Sequence, residues 1–233
     1  YHWQAVARSP YACGQFIWTG IDYLGEAHGR KLPEAAAAPD FTGKRLIFGS
    51  MNAPIDNIGQ PRSAFYYRRS LWDETPMVHL SVNVGPFDPW QLFGLLPAVD
   101  AWNWRLGSLI HVYCFTTCEE VDVTLNGRPV AHLIRDPQDV MPLCFHVNFE
   151  PGTLHAVGRI GGEIVCEHDL VTYGAPHHLS AEWDEAPLAA GGDTLEVLFT
   201  LRDEAGQVVQ ASDRQVTVHA EGAAAVEAMN AGN

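Results

Sequence analysis

Val121-Asp122-Val123-Thr124-Leu125-Asn126-Gly127 decides the fold class. Two valines and Leu125 alternate with Asp122 and Thr124. That period of two sends every second side chain to one face of a strand. Asn126-Gly127 then supplies two residues that tolerate positive φ, the strongest short hairpin signal. Val130 to Leu133 returns as the partner strand. Upstream, Leu109, His111 and Tyr113 alternate with Ile110, Val112 and Cys114. Downstream, Cys144 to Phe149, Leu154 to Ile160 and Glu163 to Glu167 read as strands, with turns at Glu150-Pro151-Gly152 and Gly161-Gly162. Short strands at this spacing predict a β-sandwich.

The chain changes character on either side of this run. Before residue 80 it is mixed and aromatic. Tyr1 to Arg8 reads as the end of a helix, stopped by Pro10. Gln15-Phe16-Ile17-Trp18 is a brief apolar run after Gly14 and suits a buried strand. Residues 27–45, rich in Ala, Pro, Gly and Lys, read as an exposed loop. Ser63 to Trp72 is the next helix, with Ser63 as its cap, Phe65, Tyr66, Tyr67, Leu71 and Trp72 on a broad apolar face, and Asp73 to Pro76 as its end. A further unit begins near His177. In it Leu195 to Leu201 is a strand, Asp203 to Gly206 a turn, Gln207 to Gln210 the return, and Gln215 to Val218 one more strand. Three or four strands are fewer than the about seven of a closed sandwich, so that unit reads as truncated.

Composition sets outer limits. The 233 residues are 47% hydrophobic and 18% charged, which is globular composition. Acids outnumber bases 28 to 14, for a net charge of −14. Such a field repels phosphate, so neither nucleic acid nor an anionic membrane surface is an expected partner. No apolar run reaches the about 18 residues of a spanning helix. Tyr1-His2-Trp3-Gln4 is neither an initiator Met nor a basic signal region, so the chain is expected to start in the middle of a longer protein. The five cysteines, Cys13, Cys114, Cys118, Cys144 and Cys166, form no CxxC pair. They read mainly as small buried core residues, with a disulfide or redox role as the alternative, and they do not fix the compartment. His177-His178 with His168 and Asp169 could suggest a metal, but that stretch reads as the end of one sandwich and a solvated linker to the next.

The segment with the most chemistry is Gly14-Gln15-Phe16-Ile17-Trp18-Thr19-Gly20-Ile21-Asp22-Tyr23-Leu24-Gly25-Glu26. A strand ends in Trp18, turns through Gly20 and presents Asp22, Tyr23 and Glu26. Aromatic faces beside carboxylates suit a sugar, whose C–H face stacks on the ring while carboxylates accept its hydroxyls. The competing reading is a core Trp with surface acids.

The same thirteen residues closely resemble the eighth-strand motif of β-galactosidase-like enzymes of glycoside hydrolase family 2. The resemblance continues in order along the chain. Phe65 to Trp72, Pro76 and His79 are similar to that family's last barrel helix and its exit. Trp102-Asn103-Trp104, Val112-Tyr113, Val121 to Gly127 and Phe149 to Leu154 resemble the immunoglobulin-like domain that follows, and Asp203 to Gln210 the opening of a further sandwich. Gly85 to Asp100 departs from the pattern as an insertion-like stretch. The resemblance therefore implies a mainly β chain: immunoglobulin-like β-sandwich domains preceded by the last strand and helix of a (β/α)8 barrel. The implied domains are residues 1–80, the end of the barrel; 81–176, the immunoglobulin-like sandwich; and 177–233, the start of a further sandwich.

By the same resemblance, Trp18 ends barrel strand eight and lines the sugar subsite. Asp22, Tyr23 and Glu26 lie on the loop above it. Asn52 sits later on that loop, where it could reach a sugar hydroxyl or serve as an ordinary turn residue. Family members are retaining enzymes with two glutamates about 5–5.5 Å apart. The resemblance sets these at the ends of strands four and seven, upstream of Tyr1, so no catalytic residue is expected in this chain. Asp22 and Glu26 do not replace them, because they share one loop and cannot flank a scissile bond. The implied whole enzyme is a retaining exo-β-glycosidase acting on terminal β-galactosides, a carbohydrate substrate, with no organic cofactor. It leaves room for a homo-oligomer and for a periplasmic, secreted or cytoplasmic setting. β-Glucuronidase or β-mannosidase activity is the near alternative, and a non-catalytic carbohydrate-binding or structural sandwich the far one.

Overall fold

The alternation of Val121, Val123 and Leu125 is realised as β5 (Glu120–Leu125), which buries those three residues and turns Asp122 and Thr124 outward. The computed structural model describes residues 2–28, 47–49, 53–84, 98–183, 193–210, 212, 214–222 and 224–229. Asn126 and Gly127 both adopt positive φ, at 52° and 77°, and close the tight hairpin to β6 (Arg128–Ile134). On its other side β5 pairs antiparallel with β8 (Thr153–Ile160), which pairs with β9 (Glu163–Val171). The four strands lie in the order β6-β5-β8-β9.

A three-stranded sheet faces them, in the order β3-β4-β7, built from β3 (Val78–Val84), β4 (Leu109–Thr116) and β7 (Leu143–Asn148). The core lies between the sheets. Leu80, Val82, Ile110 and Val112 meet Val121, Val123, Leu125, Leu154, Ala156 and Leu170, with Trp102 and Phe149 among them. Trp102 has no exposed surface and its indole donates to the Glu150 carbonyl at 3.1 Å. A polar edge on a buried ring thus finds the acceptor it needs. The predicted β-sandwich is the observed architecture. Its first strand begins at Val78, so the boundary expected between residues 80 and 81 falls inside a strand paired over its whole length with β4.

The Glu150-Pro151-Gly152 turn is fixed by Asn126 across the sheet end. The Asn126 amide donates to the Pro151 carbonyl and its oxygen accepts from the Thr153 N–H. Gly152 has φ 134°, and a Cβ there would lie 1.8 Å from the Asn126 oxygen. Only glycine fits both conditions.

β4 is buried on both faces. Its second face, Tyr113 and Phe115, is covered by Tyr66 and Tyr67 of α2 (Ser63–Trp72). The helix has the expected span, but Ser63 is not its cap. Arg62 holds that position and Ser63 donates instead to the Ala98 carbonyl at 3.2 Å. The contact with residue 98 draws the hydroxyl away from the first turn. The helix ends at Asp73 as expected. α1 (His2–Ala7) precedes it in the chain, and Trp3 meets Trp72 edge-on, centroids 5.1 Å apart.

Three further expectations are corrected. Gln15 to Trp18 is not a buried strand: no strand pairs with it, and the Phe16 side chain is fully exposed. A buried strand needs ladder partners on its edges, and among the described residues none lies beside it. The histidines at 168 and 178 are not linker residues. His168 is in β9, and His178 opens β10 (His178–Trp183), which pairs with β11 (Val197–Arg202) from His178↔Arg202 to Trp183↔Val197. The Asp203–Gly206 turn forms, but the return contributes a single bridge, Arg202↔Val208, and Gln215 to Val218 is not a strand. A short two-stranded sheet, β1 (Leu24–His28) with β2 (Ile47–Gly49), completes the described elements. Residues 29–46, most of the expected 27–45 loop, and residues 85–97 of the insertion-like stretch lie outside the described residues.

Candidate functional site

The loop from Gly14 to Tyr23 is held by one buried carboxylate. The Asp22 side chain has no exposed surface; it accepts from the Ala53 N–H at 2.9 Å and forms an ion pair with Arg62. The Asp22 N–H donates to the Ile55 carbonyl at 3.0 Å, and Ile21 bridges Ile55 in parallel. The partner loop is itself braced, since buried Asp56 accepts from the N–H groups of Ile58 and Gln60. Two loops about thirty residues apart in sequence are thus locked to the start of α2.

On this base the indole of Trp18 stands 76% exposed. It donates from Nε1 to the Tyr23 hydroxyl at 3.2 Å, so the two rings are set beside each other. The peptide between Trp18 and Thr19 is cis. Trp18 therefore has an open aromatic face and an adjacent hydroxyl, which matches the wall-plus-acceptor chemistry of sugar binding.

The five expected site residues separate. Trp18 and Tyr23 come together at the surface. Asp22 faces inward, where it orients the loop and leaves no oxygen toward solvent. Glu26 lies in β1, and Asn52 falls outside the described residues. Sequence reading missed Arg62 and Ala53, the partners of Asp22. Their separation from Asp22 leaves no local signal, although a lone Arg before an aromatic helix is a hint in retrospect.

A second polar group sits where α2, β3 and β9 meet. The Asp100 carboxylate takes both His79 Nε2, at 2.9 Å, and the Ser81 hydroxyl. Tyr66 stacks on the His79 ring, and His168 Nδ1 accepts from the Leu80 N–H at 3.2 Å. Burial, then the neighbouring His79, lowers the His168 pKa to about 4. Ser81 and His79 both point to Asp100 rather than to one another. No imidazole therefore sits on the hydroxyl, which the carboxylate holds directly, and the group joins the sandwich to α2 without the serine–histidine contact of a nucleophile relay. Among the described residues no three His, Cys, Asp or Glu side chains converge as a metal site.

Comparison with known proteins gives this geometry a setting. Residues 107–166 match the family described as a domain of unknown function, DUF4982. A β-galactosidase of Bacteroides ovatus is 26% identical over 230 residues, covering 98% of this chain and 23% of that protein. A β-glucuronidase of Formosa agariphila is 22% identical over 209 residues, covering 88% of this chain and 18% of that protein. The crystal structure of a glycosyl hydrolase family 2 member from Bacteroides cellulosilyticus superposes with a TM-score of 0.70 at 25% identity, over 88% of this chain and 28% of that one. The chain thus spans about a quarter or less of the length of the relatives it matches. Fold and matches define the class first: a mainly β chain that resembles part of a glycosyl hydrolase family 2 structure. The likeness is to glycoside hydrolase family 2: it covers 98% of the chain in the β-galactosidase of Bacteroides ovatus and 88% in the family 2 crystal structure.

Proposed function

We propose that this chain is part of a retaining, exo-acting glycoside hydrolase that cleaves terminal β-galactosides. In this reading the residues before Val78 close the catalytic (β/α)8 barrel, the sandwich that follows is immunoglobulin-like, and residues from 177 begin a further sandwich. The chain supplies a wall of the sugar subsite, not the two catalytic carboxylates. The observation that carries the reading is the open Trp18 indole bonded to Tyr23 on a loop locked by Asp22, Ala53 and Arg62. A pyranose face placed on Trp18 would have the Tyr23 hydroxyl at its edge. Asp22 acts as a positioning residue, Glu26 and Asn52 as further contacts to the sugar hydroxyls. The β-galactosidase relative, matched over almost the entire chain, favours galactose as the sugar. The β-glucuronidase relative keeps a glucuronide as the second reading.

The test uses a panel of chromogenic β-galactoside, β-glucuronide and β-mannoside with the whole enzyme and with the 233-residue chain alone. The expected result is turnover of the β-galactoside by the whole enzyme and none by the chain, because nucleophile and proton donor are supplied from elsewhere. Hydrolysis by the chain alone that disappears in Glu26→Gln would overturn the placement of the carboxylates. Preference for the glucuronide would replace galactose with the second reading.

A further inference from the structure

Three cysteines are drawn to one end of the sandwich, and two of them touch. Cys118 lies in the bend between β4 and β5, fully buried; Cys166 lies in β9, half-buried. Their sulfurs are 3.3 Å apart across 48 residues of sequence. β5 and β9 are not neighbours, because β8 runs between them. The contact exists because of the residue over which it passes. Gly158 of β8 pairs with Val121 on one side and with Cys166 on the other. A Cβ at Gly158 would sit 2.6 Å from the Cys118 sulfur and 2.7 Å from the Cys166 sulfur. The two thiols occupy the space that the missing side chain leaves open.

We propose that Cys118 and Cys166 form a reversible dithiol pair that closes to an intramolecular disulfide over Gly158 when the protein meets a small-molecule disulfide. A bonded pair lies at about 2.05 Å, so each sulfur needs to move by well under 1 Å. The half-buried Cys166 is the reachable partner. Its thiolate attacks one sulfur of the small disulfide and releases one small thiolate. The Cys118 thiol then gives up its proton and attacks the Cys166 sulfur, expelling the second small thiolate. Two protein thiols are oxidised by two electrons, one small disulfide is reduced to two thiols, and the protons pass to the released thiolates. Burial and the Cys118 neighbour raise the Cys166 pKa, which disfavours the attacking thiolate and makes the exchange slow at neutral pH. The closed loop is long, so the cross-link restricts the unfolded chain strongly.

The experiment takes the 233-residue chain with the exposed Cys13 and Cys144 changed to Ser, and incubates it with millimolar glutathione disulfide at pH 8.5. Remaining thiols are alkylated, and intact mass and a non-reducing peptide map are recorded. The expected product is a monomer about 2 Da lighter before alkylation and lacking two alkyl groups after it, with the Cys118 peptide joined to the Cys166 peptide, a melting point raised by about 10 °C, and full reversal by dithiothreitol. Cys118→Ser or Cys166→Ser abolishes the joined peptide. Gly158→Ala keeps both thiols and lowers its yield at least tenfold, because the methyl group fills the space between them. If the variants fail to fold, the map of the parent chain still decides. Glutathione held on Cys166 while Cys118 stays alkylatable, or a link from Cys114, would overturn the proposal.

Discussion

The sandwich and the aromatic loop region treat their apolar residues in opposite ways. Between the two sheets Leu80, Ile110, Val121, Leu125 and Trp102 are sealed from solvent. In the segment from Tyr11 to Ile21, Tyr11, Phe16, Trp18 and Ile21 are all exposed. Both regions are apolar in sequence; only one finds a partner surface within the described residues. The sandwich closes because its strands pair locally, through a two-residue hairpin and short turns, and because each alternating strand has one face to hide. The N-terminal region is held by a few long-range polar contacts, centred on Asp22, and presents its rings outward. In the proposed reading an exposed aromatic patch of this kind faces the rest of the barrel and the substrate. Here that surface carries Trp18.

The contrast can be broken or sharpened by substitution. Trp102→Ala removes the largest sealed side chain and its bond to Glu150, and should cost about 3–5 kcal/mol in denaturant unfolding. A change below about 1 kcal/mol would mean that the core does not centre there. The His168 site should show as pH dependence. Its folded pKa, about 4, lies below the ordinary imidazole value of about 6.5. The unfolded chain therefore binds the proton first, and stability is lost as pH falls from about 6.5 through about 4. The loss is at most about 3–4 kcal/mol. An NMR titration of the His168 ring with a midpoint near 6.5 would contradict the buried placement. Gly152→Ala forces a methyl group onto the Asn126 amide and should cost about 2 kcal/mol. Phe16→Ser, on the open side of the comparison, should leave stability within about 0.5 kcal/mol. Hydrogen exchange on the same samples should rank β4, β5 and β8 slowest and residues 12–20 fastest.

Much of the sandwich was legible because its signals are local. Alternation at 120–125, Asn126-Gly127, and the turns at 150–152 and 161–162 each determine their own geometry within a few residues. The α2 span was legible for the same reason. What failed depended on partners. Gln15 to Trp18 and Gln215 to Val218 have strand composition but pair with no strand among the described residues. β3 and β10 were missed because their pairing with distant strands, not their own pattern, makes them strands. Ser63 was misassigned as a cap because Ala98 competes for its hydroxyl. At the site, Trp18 and Tyr23 were readable from one contiguous motif. The inward turn of Asp22 was not, because Ala53 and Arg62 are brought to it only by the fold.

The central claim is that Trp18 is a wall for substrate and not a pillar of the fold. Trp18→Ala in the whole enzyme tests it, with kcat/KM and melting temperature measured on the same preparation. Stacking that holds the sugar for an oxocarbenium-like transition state predicts a fall in kcat/KM on the order of 10²-fold, about 3 kcal/mol, with Trp18→Phe losing less. The melting temperature should stay within a degree or two, because an exposed indole leaves no cavity behind. An enzyme that melts early yet turns over normally per folded molecule would contradict the account.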